Sequence, residues 1–232
     1  MAHVPQKIGH RGAPRELREN TLPSFLRAIE RGAEAIELDV HGTSDGVVVV
    51  HHDYTLGLDT ARPQCAGLAI AATPWETLQR VLYRDGHGLP TLAEVLDAVA
   101  GRATVYVEVK ASGIEAAVVE VIRASAAACA VHGFDHRIPR RVREMAPEIP
   151  VGVLVDGYLL DAARTLRDVG ARDFWPNWRF CDAALVEAIH AAGGRVVPWT
   201  TDEPAVIDSM RALGVDGLCT NDVRKLGPRG AV

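Results

Sequence analysis

The chain contains no CxxC pair. Its four cysteines, Cys65, Cys129, Cys181 and Cys219, lie far apart, which argues against a disulfide framework or a structural zinc site and fits reduced thiols. There is no run of about 18 apolar residues to cross a bilayer. The start, MAHVPQKIGH, lacks the basic region and apolar stretch of a secretory signal. A cytoplasmic protein without stable membrane insertion is therefore expected. Blocks of like charge are also missing, and with a net charge of −5 there is no electrostatic footprint for nucleic acid or for an anionic membrane. No GxGxxG or GxxxxGK turn follows an apolar run, which weighs against dinucleotides and nucleoside triphosphates. Fixed-period repeats and low-complexity tracts are absent too.

What is present is a globular composition: 232 residues, 48% hydrophobic and 24% charged with the signs mixed. Leu22, Phe25, Leu26 and Ile29 recur at helical spacing behind Thr21 as N-cap, with Gly32 as the stop. AIELDV reads as a strand, and the Asp45-Gly46 pair turns it into a second arm, VVVVHHD. Residues 54–90 are rich in Gly, Pro and Thr, with one weakly helical piece over Trp75–Val81, and read as an insertion. From Thr91 the rhythm is regular. The helices are TLAEVLDAVA, IEAAVVEVIRASAAACA, PRRVREMAP, YLLDAARTLRDVG, DAALVEAIHAAG and EPAVIDSMRALG; the strands between and after them are TVYVEVK, VHGF, VGVLVD, DFWPNW, RVVPWTT and DGLCTND. With QKIGHRG and AIELDV this makes eight strands alternating with helices. Such alternation in this length predicts a single α/β domain over residues 1–232, a (β/α)₈ TIM barrel with a small insertion after the second strand. The smooth, Ala-rich helices are compatible with a homo-oligomer and equally with ordinary barrel packing.

In such barrels the reactive groups sit at the C-terminal ends of the strands. His10 and Arg11 end the first strand, Glu37 and Asp39 the second, His52 and Asp53 the hairpin arm, and Glu108 and Lys110 the third; Trp199 and the Thr220–Asp222 stretch end later ones. Glu37 and Asp39 are two apart on a strand, so both carboxylates face one side, and the same holds for Glu108 and Lys110. Carboxylates crowded into a barrel mouth repel unless a cation neutralises them. Oxygen donors favour a hard divalent ion, Mg²⁺, Ca²⁺ or Mn²⁺. The competing reading is a buried ion network in which Glu37 and Glu108 pair with Arg11 and Lys110. His10 and His52 are suited to move protons near neutral pH, one as acid and one as base. Arg11 and Lys110 would receive an anion, most naturally a phosphate.

These residues carry a family resemblance. HRG at His10–Gly12, ENT at Glu19–Thr21, ELDV at Glu37–Val40, DGVVVVHHD ending at Asp53, LPTLAEVLD, VEVK at Val107–Lys110, VVPWTTDEP and GVDGLCTND together resemble the glycerophosphodiester phosphodiesterases almost end to end. The resemblance implies a barrel enzyme that hydrolyses a small-molecule phosphodiester to glycerol 3-phosphate and an alcohol with a divalent cation, Mg²⁺ or Ca²⁺. It implies Glu37, Asp39 and Glu108 as metal ligands, His10 and His52 as the acid–base pair, Arg11 on the phosphate, Lys110 and Trp199 along the substrate pocket, and Glu19 as an acid near the metal. The charged loop APRELR, HGFD at His132–Asp135 in place of a serine before phenylalanine, and the missing proline after TND depart from the family pattern. They bear on substrate range. His41 shares a strand face with Asp39 and is expected to cap or face solvent rather than ligate. Two rival readings stay open: a lysophospholipase D whose acyl chain lies on the apolar run Ala66–Trp75, and a catalytically silent ligand-binding barrel.

Overall fold

A computed structural model describes residues 4–227. In chain order the elements are β1 (Gln6–His10), α1 (Leu22–Glu30), β2 (Ala35–Gly42), β3 (Val48–Val50), α2 (Trp75–Leu78), α3 (Leu92–Val99), β4 (Thr104–Val109), α4 (Glu115–Ala124) and β5 (Cys129–Gly133). They continue with α5 (Arg137–Met145), β6 (Val151–Val155), α6 (Ala162–Val169), β7 (Asp173–Pro176), α7 (Ala183–Ala191), β8 (Arg195–Val196), α8 (Pro204–Ala212) and β9 (Gly217–Thr220). β3 is the antiparallel arm on β2; the other eight strands pair in parallel in the order β8-β7-β6-β5-β4-β2-β1-β9. The ring closes between β8 and β9 through loop backbone: Asp216 N–H donates to the Val196 carbonyl (2.8 Å), Cys219 to Pro198 (3.2 Å) and Thr201 to Cys219 (2.8 Å). Pro198, which has no N–H, accepts there without having to donate. The chain is a (β/α)₈ barrel.

Strand alternation sorts the apolar residues into two cores. Ile8, Ala35, Tyr106, Ala130, Leu154, Trp175, Val197 and Cys219 fill the barrel interior. A larger layer, including Phe25, Leu38, Val107, Val131 and Ile189, lies between strands and helices. Residues 54–90 build a third cluster of their own, with Leu56, Ile70, Leu78, Val81, Tyr83 and Leu89 packed under Val49 of β3. Ile70 is fully buried there with Leu68 and Trp75 against it, and no residue of Ala66–Trp75 lines the cavity at the barrel mouth.

Three local expectations are corrected by tertiary context. The helix predicted over residues 114–130 stops at Ala124, because Cys129 and Ala130 pair with Val105 and Tyr106 of β4. Strand pairing outweighs the helix propensity of an alanine run. Ser125 marks the break: it is extended (φ −99°, ψ 155°), and its Oγ accepts the Ala127 N–H. Around Trp75 only one helical turn survives. Thr21 does stand at the head of α1, yet its hydroxyl donates to the Arg18 carbonyl (2.7 Å) instead of capping the helix.

The rim turns are held by short-range devices. α3 opens with a capping box, in which Thr91 Oγ1 accepts the Glu94 N–H (3.2 Å) and Glu94 Oε2 accepts the Thr91 N–H (2.8 Å). Thr91→Ala is expected to lower stability by about 1 kcal/mol. In a urea titration this would shift the midpoint with an unchanged slope; an unshifted midpoint would count against the capping role.

Candidate active site

The site is assembled by strand register. His10 pairs with Glu37 across β1 and β2, Asp39 with Glu108 across β2 and β4, and Glu108 with His132 across β4 and β5. Side chains that point inward at the C-terminal ends therefore meet. His10, Arg11, Glu37, His52, Glu108, Lys110 and Trp199 all line one cavity of about 230 Å³, together with His132, Phe134, Trp175 and others. Asp39 does not reach the cavity wall. It lies beneath, fully buried, under Lys110 Nζ (2.9 Å) and Arg11 Nε (3.2 Å), and it accepts from Asn20 Nδ2 (2.8 Å).

Charge in the cluster is divided unevenly. Burial disfavours the Asp39 carboxylate, but Lys110, Arg11 and the Asn20 hydrogen bond outweigh it and pull its pKa down to about 2. Glu108 goes the other way: burial, then repulsion from Asp39 and Glu37, push it up to about 7 against the attraction of Lys110 (2.6 Å). Lys110 is itself opposed by burial and raised by Asp39 and Glu108. Part of the ion network weighed as the alternative thus exists.

A divalent cation fits this donor set. One ligand atom from each of Glu37, Glu108 and His132 lies within 4.8 Å of the other two. His132 is buried, and neither of its ring nitrogens makes a hydrogen bond among the described residues; Nε2 stands 3.8 Å from Glu37 Oε1. Sequence reading marked His132 only as a departure from the family pattern, not as a donor to a cation. The available signal was its place on the strand after VEVK, where register sets it beside Glu108.

Arg11 and Asn20 both hold left-handed backbone (φ 54° and 55°), unusual for residues other than glycine. The loop compels it. Arg11 N–H donates to Glu37 Oε2 (3.1 Å), Asn20 N–H to the Arg11 carbonyl (3.0 Å), and the Arg11 guanidinium spans Glu19 (2.9 Å) and Asp39. Gly12 (φ 92°) lets the loop press on α1, where a Cβ would stand 2.5 Å from Ser24 Oγ. His41 does not face solvent: it is buried, with Nε2 3.1 Å from the His52 carbonyl and its ring edge-on to Tyr54.

The two histidines have different supports. His10 Nδ1 is 2.8 Å from Asn221 Oδ1. Asn221 is oriented by Asp202, whose carboxylate accepts its side-chain amide (2.6 Å) and its backbone N–H (2.8 Å). A carboxylate only accepts, so the amide oxygen must face His10, and His10 must donate from Nδ1. Its Nε2 faces the cavity, 3.9 Å from Glu37 Oε2. His52 Nδ1 is instead 2.7 Å from Asp53 Oδ1. Trp199 is set by its indole N–H, which donates to the Trp175 carbonyl (3.0 Å), and stands edge-on to Phe134.

Glu108 yields a pH test. A carboxyl whose pKa is raised on folding contributes stability that is complete below its unfolded value of 4.5 and drains as pH rises through about 7. Protein held in chelator is expected to lose thermal stability from about pH 5 to about pH 8, and a saturating divalent cation to flatten that slope. A flat profile in chelator would refute the crowding.

The glycerophosphoryl diester phosphodiesterase family model matches residues 10–225. A glycerophosphodiester phosphodiesterase of Caldanaerobacter subterraneus subsp. tengcongensis is 30% identical over 94% of this chain and 95% of its own length; one of Bacillus altitudinis is 31% identical over 92% and 93%. Among solved structures, a phosphodiesterase of Oleispira antarctica in complex with the product sn-glycerol-3-phosphate superposes with a TM-score of 0.87 at 25% identity, covering 96% of this chain and 95% of that one. A glycerophosphodiester phosphodiesterase of Thermotoga maritima gives a TM-score of 0.82 at 26% identity, with 97% of both chains covered. With the C-terminal end of every barrel strand inside the match, this chain belongs to the glycerophosphoryl diester phosphodiesterase family.

Proposed function

We propose that the protein hydrolyses glycerophosphodiesters to sn-glycerol 3-phosphate and an alcohol, with one divalent cation, Mg²⁺ or Ca²⁺, and with His10 and His52 moving the protons. The observation that carries this reading is the convergence of three histidines, two carboxylates and two cationic side chains on one cavity at the barrel mouth, with Asp39 beneath it. Glu37 and Glu108, supported by His132 and by Asp39 behind them, would hold the cation, which when bound supplies positive charge against the anionic phosphoryl group. Arg11 and Lys110 add fixed positive charge on the same wall and orient the phosphate.

Both histidines face the same cavity, each with a partner at Nδ1, Asn221 for His10 and Asp53 for His52. One of them removes the proton from the nucleophile, water or the glycerol 2-hydroxyl, and the other protonates the departing alkoxide. Trp199 and Phe134 give the glycerol moiety an apolar wall. A lysolipid substrate lacks the support it would need, since the large apolar residues of the run Ala66–Trp75, Leu68, Ile70 and Trp75, pack into the insertion's own core. The four free cysteines support a cytoplasmic setting; among the described residues no helix is long and apolar enough to cross a membrane.

Protein stripped with chelator is expected to release no glycerol 3-phosphate from glycerophosphodiesters and to regain turnover with Mg²⁺ or Ca²⁺. His10→Ala and Glu37→Ala should stay inactive with either ion. Full turnover in chelator would remove the cation from the mechanism, and an active His10→Ala would remove His10 from the proton transfers.

Asp202→Ala frees Asn221 and so the His10 ring. It should lower kcat by about tenfold to a hundredfold, within the range acid–base catalysis supplies, with KM little changed. Because the two act in series, adding Asn221→Ala should cost little more; additive losses would separate Asp202 from His10.

A further inference from the structure

His52 stands on two cavities. One is the inner cavity that also holds His10; the other is an outer recess of about 210 Å³. The two adjoin, sharing His52, Glu108, Lys110 and Phe134 as lining. His10 and Trp199 line only the inner one. A diester whose glycerol phosphate fills the inner cavity therefore has its second ester group directed past His52 into the recess, where the alcohol would leave.

The recess has a distinct chemistry. Tyr54 and Phe134 line it with rings 66% and 46% exposed, yet neither ring is loose. The Tyr54 hydroxyl donates to the Lys110 carbonyl (3.2 Å) and its ring is edge-on to His41 (5.1 Å); the Phe134 ring is edge-on to Trp199 (5.5 Å). Asp53 precedes Tyr54 and lines the same recess: its Oδ1 binds His52, while 68% of the side chain faces solvent. The hydrogen bond from His52 holds its carboxyl below the ordinary range, so it is ionised at neutral pH. Lys110, the one ammonium on the wall, is already paired with Asp39 and Glu108. Asp135 completes the wall and is matched by Arg137.

Two fixed, exposed aromatic rings beside an ionised carboxylate are the surroundings that attract an organic cation, through the ring faces and through the charge. We propose that this recess is a subsite for a cationic alcohol, one bearing a quaternary or primary ammonium group, and that it biases the enzyme toward diesters of such alcohols. The inference rests on the phosphodiesterase reading of the inner cavity. A third recess of about 400 Å³ also borders His52 but is a poorer candidate. It shares only His52 with the inner cavity, and its aromatic face is already covered by the protein's own cation, with the Arg18 guanidinium carbon 4.2 Å from the Tyr83 ring centre.

The test compares glycerophosphocholine with the 3,3-dimethylbutyl diester, which has the same shape and no charge. Wild-type kcat/KM is expected to favour the choline ester on the order of tenfold, the scale of a ring–cation contact at a partly desolvated site. Tyr54→Leu should bring that ratio toward one, and Tyr54→Phe should keep it. A wild-type ratio near one, or a Tyr54→Leu loss shared equally by both esters, would overturn the subsite. Calorimetric titration of choline and of 3,3-dimethylbutanol separates this from the hydrolytic reading. If choline binds more tightly to wild type than to Tyr54→Leu while neither ester is cleaved, the subsite stands and the hydrolytic reading falls; equal binding of the two alcohols overturns the subsite.

Discussion

Carboxylate crowding at the barrel mouth is the constraint on which the rest of the site depends. Glu37, Asp39 and Glu108 are brought together by the pairing of β2 with β4, and none of them can move away without breaking a strand. Charge of one sign in a confined space must be neutralised or protonated. The protein does both in part: Arg11 and Lys110 close over Asp39, and Glu108 retains an affinity for protons unusual in a carboxyl. The remaining imbalance, beside a buried imidazole without a hydrogen-bond partner among the described residues, is compatible with a divalent cation.

From that cluster, positioning spreads outward through hydrogen bonds that each satisfy a second requirement. Glu37 accepts the Arg11 N–H, which fixes the left-handed turn behind His10. Asp202 holds Asn221, and Asn221 in turn fixes the tautomer of His10. The same region closes the barrel, since Thr201 and Cys219 bond across the gap that β8 is too short to span. Closure of the fold and orientation of the His10 ring are therefore linked: Asp202 follows Thr201 directly, and Asn221 follows the end of β9.

Several features were legible from residues alone because they depend on local periodicity. The i, i+2 spacing of Glu37 with Asp39 and of Glu108 with Lys110 put each pair on one strand face, and the Asp45-Gly46 turn announced the β2–β3 hairpin. Where the signal was compositional it misled: the alanine run before Cys129 read as helix, although half-buried small residues suit the edge of a strand equally well. His132 was missed because its neighbours in sequence are apolar and only its neighbour in space, Glu108, makes it a donor. Asn221 and Asp202 were visible as polar residues, but nothing local tells that one orients the other.

The sequence by itself determined the alternation of strands and helices, the facing of the acidic pairs and the order of the motifs, because these follow from backbone periods of two and 3.6 residues. Tertiary structure decided which strand ends meet, since register and barrel closure join residues up to 211 positions apart, as His10 and Asn221 are. It also decided that Asp39 lies beneath its own counter-ions, that the apolar part of the insertion packs on itself, and that two aromatic rings stay exposed beside His52. Those outcomes depend on packing between distant segments, which no local pattern encodes.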